Sequence, residues 1–264
     1  MPEKLKSGRA ERIIAKALEF GASLAGIADV REIKKSPSYM VYEHMEIGGK
    51  KTGIPKEISW PENARSAVII AVEHPEQKPE WDWWRDGCAG GTEGNRILIS
   101  VIDKLIVWLR EEKGIEASDV PYYIEQGGIF LKDAAVMAGL GCVGRNNLLV
   151  TEERGPRVRL RAMFINESLP GTDPVDFDPC QDCGMPCREA CPRKSFAKRI
   201  YSEAKTGLEK LPGRTGHYSR SLCNIQMRLD VDNHDILRVP GLDKPGKLVR
   251  YCRICELACP VGES

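Results

Sequence analysis

Residues 180–192 read CQDCGMPCREACP, and residues 252–260 read CRICELACP. The first stretch spaces its cysteines as Cys180-x2-Cys183-x3-Cys187-x3-Cys191-Pro192. The second runs Cys252-x2-Cys255-x3-Cys259-Pro260, and Cys223 stands alone about thirty residues upstream. Eight of the ten cysteines lie between Cys180 and Cys259, leaving only Cys88 and Cys142 outside. Spacing this short lets one turn of backbone present several thiolates together. A cysteine before proline, carried on the next helical turn, points the opposite way. In a small secreted chain such density would read as a disulfide framework. Here the N-terminal residues Met1 to Ala10 are charged and lack an apolar signal core or twin arginines, so a reducing, cytoplasmic setting and metal ligation are expected.

Two-cluster bacterial ferredoxins use C-x2-C-x2-C-x3-C-P, with the cysteine before proline crossing to the other cluster. Applied here, Cys180, Cys183, Cys187 and Cys259 hold one [4Fe–4S] cluster, and Cys191, Cys223, Cys252 and Cys255 hold the other. The count closes at four and four. Two structural zinc sites are the alternative, since zinc also favours paired C-x2-C. The gap between Cys183 and Cys187 is one residue longer than the ferredoxin pattern and contains Pro186, which predicts a local bulge.

Working outward, the 264 residues carry 39 basic and 38 acidic side chains and 42% hydrophobic residues, an ordinary globular composition. The net charge of +1 gives no general reason to expect nucleic acid or an anionic membrane as partner. No apolar run approaches the roughly 20 residues of a membrane span. The slight basic excess after residue 173 is read as balancing anionic clusters.

Apolar periodicity predicts an amphipathic helix over 9–20 and a long, largely interior helix over 95–112. Strands are expected at Ala22–Val30, Ser66–Glu73, Pro121–Glu125, Asn147–Thr151 and Val158–Asn166, the last two joined hairpin-fashion by EERGPR. Lys34–Pro61 reads as polar and irregular. The WDWW segment (81–84) and Gly87–Gly94 read as a loop, and Leu131–Ala138 as a helix with Asp133 facing solvent. The alternation predicts an α+β protein: an α/β core over residues 1–173, then the cysteine-rich domain over 174–264. Gly139-Leu-Gly-Cys-Val-Gly144 formally matches G-x-G-x-x-G, but a helix precedes it and a strand follows. That is the reverse of a dinucleotide site. A tight loop that brings backbone close to a planar ligand or a cluster fits better. The four histidines, His44, His74, His217 and His234, show no metal spacing.

The segment AGLGCVGRNNLLVTEERGPRVRL (138–160), followed by the two cysteine–proline motifs, resembles the epoxyqueuosine reductase and corrinoid reductive dehalogenase group. The resemblance implies a nitroreductase-like core joined to a two-cluster ferredoxin-like domain, and a cobalamin contacted by the loop Gly139, Leu140, Gly141, Cys142, Val143, Gly144, Arg145 and Asn146. It implies electrons passing through both clusters to the corrinoid, for reduction of a small-molecule substrate with a protein acid supplying the proton. Glu125 falls at the position of the family's catalytic aspartate, with Tyr123 or Tyr122 as alternative donor. A ferredoxin or flavodoxin is the expected electron donor, and pairing of two copies is expected of such cores. The chain stops five residues after Cys259, without the tRNA-binding repeats of the epoxyqueuosine enzymes, so nucleic acid is not expected as a partner. The position usually filled by tryptophan or glutamate holds Cys142. Arg145, Arg157 and Arg159 are candidates for cofactor carboxamides or an anionic substrate, or are surface residues. A non-catalytic electron carrier serving a corrinoid partner, without its own cobalamin, is the alternative function.

Overall fold

The segment SAVIIAVE (66–73) has no charged residue before Glu73, and it forms a strand with both faces covered. In the computed structural model, which describes residues 3–36, 38, 60–206, 213–237 and 245–262, this strand is buried along nearly its whole length. Helix α1 (Glu3–Glu19) leads into β1 (Leu24–Asp29), a short helix α2 (Val30–Ile33) and the buried strand β2 (Ser66–Glu73). Then come β3 (Trp83–Arg85), α3 (Glu93–Lys113), β4 (Ala117–Asp119), α4 (Leu131–Met137), β5 (Cys142–Val143), β6 (Leu149–Val150) and β7 (Val158–Ile165). The cysteine-rich part contributes α5 (Pro186–Glu189), α6 (Glu203–Thr206), α7 (Arg220–Asp232), β8 (Asp235–Leu237), β9 (Gly246–Arg250) and α8 (Ile254–Leu257).

The main sheet has the order β1-β2-β7-β4, and every pairing in it is antiparallel. Alternation along β2 sends its side chains to two different cores. Val68, Ile70 and Val72 pack with Ile13 and Ala17 of α1 and with Leu98, Val101, Ile102, Leu105 and Leu109 of α3. Ala67, Ile69 and Ala71 pack with Ala134, Ala135 and Ala138 at α4. The sheet is therefore sandwiched between helical layers, a mixed helix-and-sheet architecture.

Helix α3 starts where Thr92 accepts a hydrogen bond from Asn95 N at 3.1 Å and ends at Gly114, whose φ of 62° closes it in the left-handed conformation. Its buried residues occupy one face, while Asp103, Lys104 and Val107 are exposed. It is amphipathic rather than interior, because only one side of it meets the sheet.

Three other expectations change. Pro121–Glu125 is not a strand: its aromatic pair leads into a short 3-10 turn, Ile124–Gln126, and the edge strand beside β7 is β4. The WDWW segment is not all loop, because Trp83, Trp84 and Arg85 pair with Arg250, Val249 and Leu248 of β9. A strand from the first part of the chain thus completes the sheet β3-β9-β8 with the last part. EERGPR does not make a hairpin of its flanks: β6 pairs with β5, β7 pairs with β2, and the turn is closed by a bridge between Thr151 and Gly155. Most of the stretch expected to be irregular over 34–61, His44 included, lies outside the described residues. Among the described residues, no helix is long and apolar enough to cross a membrane.

Candidate functional site

Each cysteine motif builds a short helix, α5 carrying Cys187 and α8 carrying Cys255. These two helices pack against each other. The extra residue between Cys183 and Cys187 is absorbed at Met185, which sits at φ 60° and caps α5 ahead of Pro186, a residue suited to a first helical position. In that conformation Met185 N donates to Cys183 Sγ at 3.4 Å.

The packing sorts the eight cysteines into two neighbourhoods. Burial, then the nearby Cys259, Cys180 and Cys183, push the Cys187 thiol up to about 11. Burial, then Cys223, Cys252 and Cys191, push Cys255 up to about 12. Cys180, Cys183, Cys187 and Cys259 therefore gather as one group, and Cys191, Cys223, Cys252 and Cys255 as the other. Each last cysteine of a motif sits with the partner motif. None of the ten cysteines is in a disulfide. Among the described residues, no group of three or more His, Cys, Asp or Glu side chains is closed tightly enough to hold a metal ion.

Donors surround the sulfurs. In the first group Met185 N donates to Cys183, Val261 N to Cys259, and the Arg214 guanidinium to Cys180. In the second, Ser195 N donates to Cys191 at 3.4 Å, Ile254 N to Cys252, and the Tyr218 hydroxyl to Cys223. Among the described residues the four non-glycine positions with positive φ are Asn147, Met185, Lys194 and Arg214. Lys194 immediately precedes the donor Ser195, and Met185 and Arg214 are donors themselves. Such conformations cost about 1–3 kcal/mol each and collect at functional sites. Thiols crowded together and ringed by N–H and O–H donors suit thiolates bridged by iron: the donors stabilise sulfur charge that bare thiols do not carry.

A small pocket is lined by Cys180, Cys183, Cys187 and Cys259 together with Arg145, Asn146 and Val150. The glycine-rich loop thus abuts the first cysteine group. Asn146 is buried and reaches the second group, donating to the Cys255 carbonyl at 3.2 Å. The loop glycines serve their own chain: a Cβ on Gly141, at φ 148°, would lie 2.2 Å from the Val150 carbonyl oxygen. Leu140 is buried, Val143 pairs with Leu149, and Gly144 N donates to the Leu148 carbonyl at 2.8 Å. Gly139, at φ 71°, packs against the backbone of Asp173. Cys142 is held against Val150, and burial, then the nearby Cys180, raise its thiol to about 11.

Tyr123 is 57% exposed and meets the Tyr122 ring edge-on at 5.1 Å. Tyr122 is more sheltered, and burial raises its hydroxyl. Glu125 lies in the 3-10 turn beside them, with its side chain outside the described set. Asp133 does not face solvent freely; its carboxylate accepts from Ser38 N at 3.0 Å.

The residues that fasten the second motif to the core include two of the candidate arginines. Arg157 donates to the carbonyls of Val261, Leu257 and Cys259 at 2.9, 3.3 and 3.0 Å, gripping the exit of α8. Arg159 bridges Glu256 at 2.8 Å and Asp82 at 2.9 Å, and Arg253 bridges Asp82 at 2.7 Å and Glu256 at 2.5 Å. His74 Nδ1 lies 2.6 Å from Asp82. Burial lowers His74, so at neutral pH the ring is uncharged and donates to Asp82. Burial by itself would raise the Asp82 carboxyl, but the His74 hydrogen bond and the two arginines hold it below the usual range. The one hint of this network in the sequence is the alternation Arg157-Val-Arg159-Leu-Arg161 on an otherwise apolar strand, where cations need buried partners.

Comparisons agree with this geometry. The chain is 31% identical to an epoxyqueuosine reductase of Lactococcus garvieae over 209 residues, covering 76% of this chain and 53% of that protein. An epoxyqueuosine reductase structure from Streptococcus thermophilus superposes with a TM-score of 0.61 at 20% identity, covering 96% of this chain and 66% of that one. A solved reductive dehalogenase, described in connection with B12-dependent dehalogenation, superposes at 0.52 with 21% identity over 72% of this chain and 26% of that one. The chain spans about half the length of the curated relatives it matches first. No family model matches it.

Proposed function

Because the chain belongs to an epoxyqueuosine reductase/reductive dehalogenase-like family, we propose that it is an oxidoreductase in which each group of four cysteines holds one [4Fe–4S] cluster. One observation carries the reading: the eight cysteines gather four and four, with Cys191 and Cys259 exchanged between motifs. In this reading residues 1–173 are a nitroreductase-like core and residues 174–264 a ferredoxin-like domain. A cobalamin lies along Gly139–Asn146, supported by the B12-dependent chemistry named for one structural neighbour.

When bound, the clusters and the corrinoid supply low-potential electrons and a cobalt centre to which they are delivered. The chain's own tasks are narrower. Met185, Ser195, Val261 and Ile254 hold the sulfurs through backbone N–H groups. Arg157, Arg159 and Arg253 fix the second motif on the core so that the spacing between cofactors is constant. Glu125, or Tyr123 in its place, supplies the proton to a small-molecule substrate. A ferredoxin or flavodoxin delivers the electrons in the cytoplasm, and two copies pair.

Anaerobic reconstitution with iron, sulfide and cobalamin tests the reading. Two cubanes per chain and a retained, extractable corrinoid are expected. Failure to hold two cubanes overturns the cluster assignment. Two cubanes without corrinoid leave an electron carrier and overturn the cobalamin assignment.

A further inference from the structure

The two cysteine groups sit in different electrostatic surroundings. Around Cys180, Cys183, Cys187 and Cys259 stand four guanidinium groups. Arg214 donates to Cys180, Arg188 adjoins Cys187, Arg157 lies beside Cys259, and Arg145 lines the pocket. Asp178 pairs with Arg214 and accepts from Cys180 N at 3.1 Å, and Asp182 and Glu189 lie within the same motif. The other group faces mixed charge. Asp230 accepts from Cys252 N at 2.9 Å and lies close to Cys223, and Glu256 adjoins Cys255, already paired to Arg159 and Arg253. Opposite them stand Arg220 and Lys132 near Cys223. The side-chain donor to sulfur there is the neutral Tyr218 hydroxyl, where the first group has a cation.

Reducing a cubane adds one negative charge, and nearby cations, hydrogen bonds to sulfur and solvent access all favour that state. What separates the two groups is the side-chain donor: a guanidinium donates directly to a ligand sulfur of the first, and a neutral hydroxyl to one of the second. We infer that the cluster held by Cys180, Cys183, Cys187 and Cys259 takes the first electron, and that Arg214 sets this order. The inference rests on the two-cluster reading above. Arg214 acts as a tuning residue through the sulfur it touches, and its left-handed backbone at φ 68° fits a side chain aimed at Asp178 and Cys180.

Redox titration of the reconstituted protein, followed by electron paramagnetic resonance, tests the order independently of turnover. Arg214→Gln should make the first reduction at least about tenfold less favourable, a shift of about 59 mV for one electron, and leave the second in place. Arg214→Lys should recover part of the shift. Asp178→Asn, which strips the counter-charge, should move the first reduction the other way, and it carries the test if Arg214→Gln fails to hold iron. Tyr218→Phe should move only the second reduction. If Tyr218→Phe moves the first reduction, or if neither Arg214→Gln nor Asp178→Asn moves it, the order is wrong. A protein that never shows two cubane signals would instead refute the two-cluster reading.

Discussion

Asn146 Nδ2 donates to the main-chain carbonyl of Cys255 at 3.2 Å, while its Oδ1 accepts from Leu148 N at the same distance. One buried amide therefore shapes the glycine-rich loop and ties it to the helix bearing a cysteine of the second motif. Asn146→Ala strands both backbone partners. It should lower the unfolding free energy by about 1–3 kcal/mol in urea titrations. Asn146→Asp, which keeps the acceptor and loses the donor, should recover little of it.

Gly94 faces the His74 ring so closely that a Cβ would fall 1.8 Å from Nε2 and 2.0 Å from Cε1. The ring is fully buried and tied to Asp82, so it has nowhere to retreat. Gly94→Ala should destabilise by about 1–3 kcal/mol or more through overpacking. A melting temperature equal to the parent's would show that the ring can move.

The His74–Asp82 pair also predicts an acid limb. His74 is lowered in the folded state, so the unfolded chain binds the extra proton. Its contribution is complete above the ordinary histidine value of about 6.5 and is lost as pH falls through the lowered one. Asp82 is likewise lowered, and its contribution disappears only further down, below the ordinary carboxylate value. Stability measured between pH 7 and 5 should therefore fall, and His74→Asn should flatten that slope.

On the two-cluster reading proposed above, the raised thiols make cluster loading pH-dependent. Cys187 at about 11 and Cys255 at about 12 are protonated at neutral pH before iron binds. Ligation must release those protons, so iron uptake should weaken as pH falls, by up to about tenfold per coupled proton per unit. Iron uptake that is flat between pH 6 and 8 would mean that these thiols are not the ligands.

Close backbone approach holds the second motif from the other side. A Cβ on Gly155, at φ 54°, would lie 1.9 Å from the Val261 carbonyl oxygen. Gly155→Ala should loosen the segment after Cys259, seen as faster amide exchange at residues 257–262 with the main sheet unchanged.

The two cysteine motifs were legible because they follow from local rules: short spacing, and a proline that ends each motif. The buried strand β2 was legible for the same reason, since an apolar run needs cover on both faces. What escaped was decided at long range. PYYIE carries aromatic and β-branched residues, yet Gly127 and Gly128 pull it into a turn, and Gly128 N closes back on the Tyr123 carbonyl at 3.0 Å. Trp83–Arg85 becomes a strand only because β9, more than 160 residues on, supplies its partner. The network of His74, Asp82, Arg159, Arg253 and Glu256 joins five positions that no window contains together. Each has a bland reading as a surface charge when met alone.

The pairing of β3 with β9 also constrains how the molecule comes into being. Trp83, Trp84 and Arg85 leave the ribosome long before residues 248–250 exist, and closing a loop of that length carries an entropic cost that grows as about (3/2)RT ln n. Until then β3 is an open aromatic edge, the kind of surface that invites wrong partners during synthesis. The second cysteine motif begins two residues after β9 ends. The step that hides this edge is therefore the step that brings Cys252 and Cys255 to the core, which makes β-strand closure a late event in assembly and times it with the placing of the second cysteine motif.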